Sequence, residues 1–317
     1  MLKLTFYRLA TALAPKLPSS LLYALAWLGG AIAYWVAPGP RRAVTENMRR
    51  VLGPNAGASE VRNAVRGVFR TTAYNYLDLF LIPATNPDEL SKRVEILHPE
   101  RFYEAYDKGK GVIIATAHLG GFDQLVQIAR HYNLEVTILV EALEPPELFT
   151  LIKDLRGSHG LHLVTVDTGG LRTVLRTLRS GGVVVITVDR DIQHDGLLTT
   201  FFGEETRLPD GAVKLAMQTS APILPCFSVR LPNRHYQMNI QPSIEIEQAP
   251  THDETVRLNH ERLTRVVERG ISEHPDQWVV FESIWGKDVT EPGDAASPAI
   301  SPSPRPPSLN GEGANGR

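Results

Sequence analysis

"GVIIATAHLGGFDQLVQI", residues 111–128, passes from an apolar, partly β-branched run through a histidine and two glycines into apolar residues at helical spacing. The first part predicts a strand that is apolar on both faces, as in a parallel sheet covered by helices. The second predicts a helix over residues 120–132, entered through a turn that the glycines permit because they lack a Cβ. A buried strand feeding a helix is the building unit of an α/β protein.

Outward from that stretch the alternation repeats. "LEVTILV" (134–140), "LHLVTVD" (161–167), "GVVVITVD" (182–189) and "APILPCFSVRL" (221–231) predict further strands. "PPELFTLIKDLRG" (145–157), "GGLRTVLRTLRSG" (169–181) and "DGAVKLAMQTS" (210–220) predict helices opened by Pro, Gly or Asp. A more exposed strand follows at 236–247, a long amphipathic helix at 253–275, and a helix precedes all of these at 60–82. The expected fold class is α/β, a mostly parallel central sheet flanked by helices, with the first hundred or so residues forming a helical, membrane-docking region.

Three regions are expected. Residues 1–50 form a hydrophobic membrane anchor with a basic flank, 51–286 the α/β domain, and 287–317 a tail rich in Pro, Ser and Gly. The tail has too little apolar surface to offset its chain entropy and is expected to be disordered. The anchor's apolar run, Leu21 to Ala37, lies between Lys16 and the pair Arg41 and Arg42. It is at the short end of what spans a bilayer, and Trp27, Tyr34 and Trp35 suit a membrane interface. A transmembrane or half-inserted anchor, a cleaved signal peptide and a buried core helix compete. The first fits best, because the apolar run continues past the small-residue "AIA" where a signal peptidase would cut. Arg41, Arg42, Arg49 and Arg50 favour anionic headgroups on its C-terminal side.

Composition narrows the function. The chain has 317 residues, 43% of them hydrophobic, and a formal charge of −2, which argues against a general nucleic-acid binder. Its single cysteine, Cys226, excludes an intrachain disulfide and a cysteine metal cluster, and is expected in the core. His159 and His162 have metal-ligand spacing, but no third ligand accompanies them.

His118 and Asp123 carry the candidate chemistry. On one continuous helix, positions five apart point about 140° away from each other. They meet only if His118 stands before the helix and Asp123 lies in its first turn, where the helix dipole favours a carboxylate. An aspartate so placed can orient an imidazole acting as general base on an alcohol. Spacing alone favours an ordinary strand-to-helix turn, and the position at the carboxyl end of a parallel strand, where ligands bind in open α/β sheets, brings a catalytic pair level with it.

"AHLGGFD" (117–123) resembles the His-x4-Asp/Glu motif of the glycerolipid and lipid A acyltransferase superfamily, and three other blocks follow the same order. Residues 188–227, from "VDRDIQHDG" through "FFGEETRLPDGAVKLA" to "APILPCF", are similar to its second and third blocks. "RRAVTENMRRVLG" (41–53) resembles the Asn-containing helix behind the anchor in bacterial lipid A late acyltransferases and phosphatidylinositol mannoside acyltransferases. "HPDQWVVFESIW" (274–285) resembles their closing Pro-x-x-Trp segment. "VEALEP" with "VDRDI" looks closer to the phosphatidylinositol mannoside branch.

The resemblance implies acyl transfer from acyl-CoA or acyl carrier protein to a hydroxyl of a membrane glycolipid or lysophospholipid. It places the protein at the cytoplasmic face of the plasma (inner) membrane and calls for no cofactor or metal. His118 would be the base and Asp123 its orienting acid. Backbone N–H groups near Gly120 and Gly121 would stabilise the oxyanion. Arg207 is the first candidate for gripping phosphate, against pairing with Glu204 or Glu205 on a solvated loop. Glu204 and Glu205 stand where the superfamily has a glutamate for polyol hydroxyls. Arg190 lines the cleft or pairs with its aspartate neighbours, Glu141 ends a strand, and Arg156 could reach the donor or serve as a helix-end residue. Two other function classes remain: an ester hydrolase, which lacks a Gly-x-Ser-x-Gly elbow, and a non-catalytic lipid-binding protein of the same fold.

Overall fold

The computed structural model describes residues 2–286; the expected tail at 287–317 lies outside them. The helical cap comprises α1 (Leu2–Leu13), α2 (Ser19–Val36), α3 (Pro38–Val51), α4 (Ala58–Leu81) and the short α5 (Pro87–Ser91). Then come β1 (Val94–Leu97), α6 (Pro99–Tyr106), β2 (Val112–Thr116), α7 (Phe122–Leu125), β3 (Val136–Val140), α8 (Pro146–Gly157), β4 (His162–Thr165), α9 (Thr168–Arg179) and β5 (Val183–Thr187). A hairpin of β6 (Leu197–Phe201) and β7 (Glu204–Leu208) follows, then α10 (Gly211–Thr219), β8 (Ile223–Arg230), β9 (Tyr236–Ile240) and α11 (His252–Glu273).

Seven strands form one sheet in the order β1-β9-β8-β2-β5-β3-β4. Every neighbouring pair is parallel except β8 with β9. The central strands are buried as their apolar runs predict: Val112, Ile113 and Ala115 of β2 and Val184 of β5 are fully buried. Cys226 is buried in β8 as expected, and burial pushes its thiol up to about 12.

Three elements depart from the sequence reading. β1 lies inside the supposedly helical first hundred residues. The β6–β7 hairpin turns through Phe202 and Gly203, both at positive φ, which matches the right-handed twist of the strands. The helix expected over 120–132 is only α7 followed by a tighter 3₁₀ stretch, Val126–Arg130. In a continuous α-helix the Asp123 carbonyl would accept from the backbone N–H of Gln127. Here the side-chain amide of Gln127 takes it at 3.2 Å and also bonds the Arg156 carbonyl at 3.1 Å.

The cap is not a closed core. One face of α2 packs on α4 through Leu22, Gly30 and Tyr34. At Gly30 an added Cβ would lie 3.0 Å from Arg70 Cα and Phe69 O, so a side chain there would push α2 and α4 slightly apart. The other face leaves Leu21, Leu25, Trp27, Leu28, Ile32 and Trp35 exposed, and Phe6 and Leu9 of α1 extend the bare surface. Behind it, α3 reaches the site through Asn47, whose buried amide donates to the Glu282 carbonyl at 2.8 Å and accepts from the N–H of Ile284 at 3.4 Å. That anchors the closing segment, residues 274–285, against the sheet's carboxyl edge.

Candidate active site

Two parallel strands ending level with each other build the centre of the site. Thr116 of β2 stands opposite Thr187 of β5, and the N–H of Val188 donates to the Thr116 carbonyl at 2.9 Å. Two residues further along each strand, His118 meets Asp189. The His118 backbone N–H donates to Asp189 Oδ2 at 2.9 Å, and His118 Nδ1 lies 2.9 Å from Oδ1. Trp278, from the closing segment, donates Nε1 to Oδ2 at 2.7 Å. The Asp189 side chain is fully buried and that of His118 is 18% exposed, so one partner is sealed in and the other reaches the surface. Burial pushes the Asp189 carboxyl up, but the adjacent His118 charge and the hydrogen bonds from His118 and Trp278 outweigh it and hold the group below the usual carboxylate range.

Asp123, expected to orient His118, is held by a different partner. Its carboxylate is engaged by Arg156, with Nε 2.7 Å from Oδ1 and Nη2 3.0 Å from Oδ2. The physical cause is the way the turn is tied. The His118 carbonyl accepts from Val279 N–H at 2.8 Å, which holds His118 on the sheet side, while α7 carries Asp123 toward α8. Within the motif His118 meets Phe122 in a T-shaped contact, with ring centroids 5.7 Å apart at 83°. Arg156 is therefore a partner of Asp123 and ties α7 to α8.

The glycine turn is held at every polar atom but one. Leu119 bridges to Trp278, and its carbonyl accepts from Ser228 Oγ. Gly120 N–H donates to the Gln277 carbonyl at 3.0 Å, and Gly120 O accepts from Asn75 Nδ2 at 2.8 Å. Gly120 sits at φ +60°, and an added Cβ would run into the Ser228 carbonyl, so no other residue fits. Its N–H is engaged, which removes it from the expected oxyanion donors. Among the described residues the Gly121 N–H has no partner.

Of the other expected substrate contacts, three are already matched. Arg190, next to Asp189, donates Nε to Glu282 at 2.6 Å. Glu204 pairs with Arg50 at 2.7 Å, whose guanidinium lies 5.1 Å from the centre of the Trp285 ring, rather than with Arg207. Arg207 donates to the Gly196 carbonyl at 3.0 Å, and Glu205 is exposed on β7. The hairpin that carries them reaches the site through Phe201, stacked on Trp285 at 5.6 Å and edge-on to Trp278 at 6.2 Å. Glu141 follows β3, which β5 separates from β2. Among the described residues no group of three or more His, Cys, Asp or Glu is placed to hold a metal.

Asp189, Trp278, Asn75 and Gln277 are the site residues that the sequence reading did not assign. Asp189 had a legible signal: "IIATAH" and "VVITVD" are adjacent parallel strands of matched length, each ending in a titratable residue. Trp278 stood in the closing block without a role. Asn75 had no signal, because helix α4 is distant in sequence.

Chemically, a carboxylate accepting at Nδ1 fixes the imidazole proton there and leaves Nε2 as a base. Among the described residues Nε2 has no partner. The arrangement can take a proton from a hydroxyl, and the Gly121 N–H, three residues along the chain, is open to receive negative charge.

The family model described as bacterial lipid A biosynthesis acyltransferase matches residues 4–287. A "Phosphatidylinositol mannoside acyltransferase" of Mycolicibacterium smegmatis is 24% identical over 271 residues, covering 83% of this chain and 85% of its own length. A protein of the same name from Mycobacterium tuberculosis (strain CDC 1551 / Oshkosh) is 26% identical over 268 residues, 81% of each chain. The solved "1-acyl-sn-glycerophosphate (LPA) acyltransferase, PlsC, from Thermotoga maritima" aligns with 80% of this chain and 96% of its own, at 16% identity and a TM-score of 0.36, too distant to bear on the site.

Proposed function

Because the chain belongs to the bacterial lipid A biosynthesis acyltransferase family, and so moves an acyl group onto a glycolipid or lysophospholipid, we propose a specific course for that transfer. The donor is acyl-CoA or acyl carrier protein, and the acceptor is a membrane glycolipid, with a phosphatidylinositol mannoside first among candidates because the relatives bear that name. The observation that carries the mechanism is the His118–Asp189 pair, one imidazole nitrogen held by a buried carboxylate and the other open.

His118 Nε2 takes the proton of the acceptor hydroxyl as its oxygen attacks the thioester carbonyl carbon. Asp189 stabilises the imidazolium this creates. The C–O bond forms, and the carbonyl oxygen becomes an oxyanion beside the Gly121 N–H. Collapse breaks the C–S bond, the ester is released, and the thiolate takes the proton back from His118. Atoms and charge balance without a protein nucleophile or a metal. The bare apolar face of α1 and α2, flanked by basic residues, supports attachment to the cytoplasmic face of the inner membrane.

The test incubates purified protein with labelled palmitoyl-CoA, or palmitoyl carrier protein, and candidate glycolipids and lysophospholipids, wild type beside His118→Ala. Loss of about 10²–10⁴ in kcat is expected for the variant. Equal acylated product from both would remove His118 from the chemistry. Free fatty acid released without acylated acceptor would instead mark a hydrolase.

A further inference from the structure

A buried charged cluster lies directly beneath the catalytic turn. Asp78 of α4 and Arg230 of β8 form an ion pair with side chains 2% and 8% exposed. Tyr236 donates its hydroxyl to Asp78 Oδ2 at 2.9 Å, and Tyr23 of α2 donates to Oδ1 at 2.7 Å. The Arg230 guanidinium also lies over Tyr236 and Tyr74, 5.1 and 5.4 Å from the ring centres. Burying two charges costs several kcal/mol per ion before attraction offsets it, so what the cluster holds in place is informative.

It holds Asn75. Arg230 Nη2 donates to Asn75 Oδ1 at 2.9 Å, and because a guanidinium has only donors, the amide oxygen must face it. The amide nitrogen is thereby turned to Gly120 O, 2.8 Å away. In a planar trans peptide the C=O and the next N–H point in opposite directions. Fixing Gly120 O against α4 therefore directs the Gly121 N–H away from α4. The other flank is pinned by the same arginine's backbone: Arg230 N–H donates to Gln277 Oε1 at 2.8 Å and its carbonyl accepts from Gln277 Nε2 at 3.0 Å, while the Gln277 carbonyl holds Gly120 N–H.

We propose that Asn75, oriented by Arg230, is a positioning residue that sets the Gly120–Gly121 peptide so that the Gly121 N–H meets the oxyanion of the donor carbonyl. This rests on acyl transfer at His118. A peptide free to rotate would lose the donor or present a carbonyl to the oxyanion, whereas a fixed dipole needs no reorganisation during reaction.

Asn75→Asp in the full chain tests it. The substitution keeps the acceptor for Arg230 and the side-chain shape, and replaces the donor to Gly120 O with an oxygen that repels it. With palmitoyl-CoA as donor and a phosphatidylinositol mannoside as acceptor, kcat is expected to fall about tenfold to hundredfold with KM for palmitoyl-CoA unchanged. A tetrahedral trifluoromethyl-ketone analogue of palmitoyl-CoA should lose affinity by a similar factor, while a thioether analogue binds as to wild type. Asn75→Ala, which removes the donor without adding charge, should repeat the pattern if the aspartate variant fails to fold. Wild-type kcat in the Asn75 variants, with His118→Ala inactive, overturns the positioning role and leaves the base intact. Equal loss of affinity for both analogues also overturns it, as does full activity of His118→Ala, which removes the underlying reading as well.

Discussion

Asp189 is the acid that the geometry gives to His118, and two substitutions separate it from Asp123. Asp189→Asn keeps the volume but offers Nδ1 an ambiguous amide, so the imidazole loses its fixed tautomer. The expected loss is about 10²–10⁴ in kcat, with a changed pH–rate profile. Asp123→Asn breaks a partly buried ion pair with Arg156 and costs about 1–3 kcal/mol of stability, read as a lowered melting temperature, with the shape of the pH–rate profile retained. Acid unfolding gives a second readout. The Asp189 carboxyl is held below its ordinary value, so its stabilising contribution is complete above about pH 4 and is lost as pH falls through the lower folded-state value. Asp189→Asn should flatten that part of the stability curve.

At the scale of elements, α11 carries a pH-sensitive contact with the loop after β7. His260 is 2% exposed and lies beside the Leu208 and Pro209 carbonyls. Burial pushes its imidazole below the usual value, against the pull of Asp210 and those carbonyls. A depressed histidine stabilises the fold above the unfolded value of about 6.5, and that contribution is lost as pH falls through the folded value. Thermal melts from pH 7.5 down to pH 5 should show a decline that His260→Gln reduces. Elements were also the scale at which the sequence was most legible. β2, β3, β4, β5 and β8 and the helices α8 to α11 stood where runs of Val and Ile and 3.6-residue spacing placed them. What stayed hidden were features tied to partners farther along the chain: β1, which pairs with β9, and the 3₁₀ stretch after α7, where Gln127 bonds the Arg156 carbonyl of α8. In the site, His118 was legible because a strand and two glycines frame it. The Asp189 contact was not, since proximity in sequence favoured Asp123 over a residue on the neighbouring strand.

For the whole molecule, an apolar side left exposed among the described residues is the dominant property. A groove of about 850 Å³ between α1, α2 and α4, lined by Leu13, Leu25, Ala33, Tyr76 and Phe80 among others, opens on that side. Arg41 and Arg66 both hold guanidiniums over Tyr34, at 5.3 and 5.4 Å from its ring centre. The four tryptophans divide cleanly: Trp27 and Trp35 are 52% and 67% exposed, Trp278 and Trp285 at most 3%. Vesicles containing phosphatidylglycerol should therefore shift the emission of the first pair to the blue and leave the second unchanged. Replacing Trp27 and Trp35 by Phe should abolish the shift, and raised salt should weaken it. An unaltered shift in the double variant would mean that another surface meets the lipid.

The level ends of β2 and β5 have a consequence for how this protein tolerates change. His118 and Asp189 meet because each lies two positions past a paired threonine, so chain length, more than side-chain identity, sets their encounter. Exchanging Val184 for Ile adds a methylene and typically costs about 1–3 kcal/mol. Inserting a single alanine between Val185 and Ile186 slides everything beyond by one step and turns the carboxylate to the opposite face of the sheet. Along these two strands spelling is negotiable and counting is not, so a scan of one-residue insertions should silence the enzyme where a scan of apolar exchanges does not.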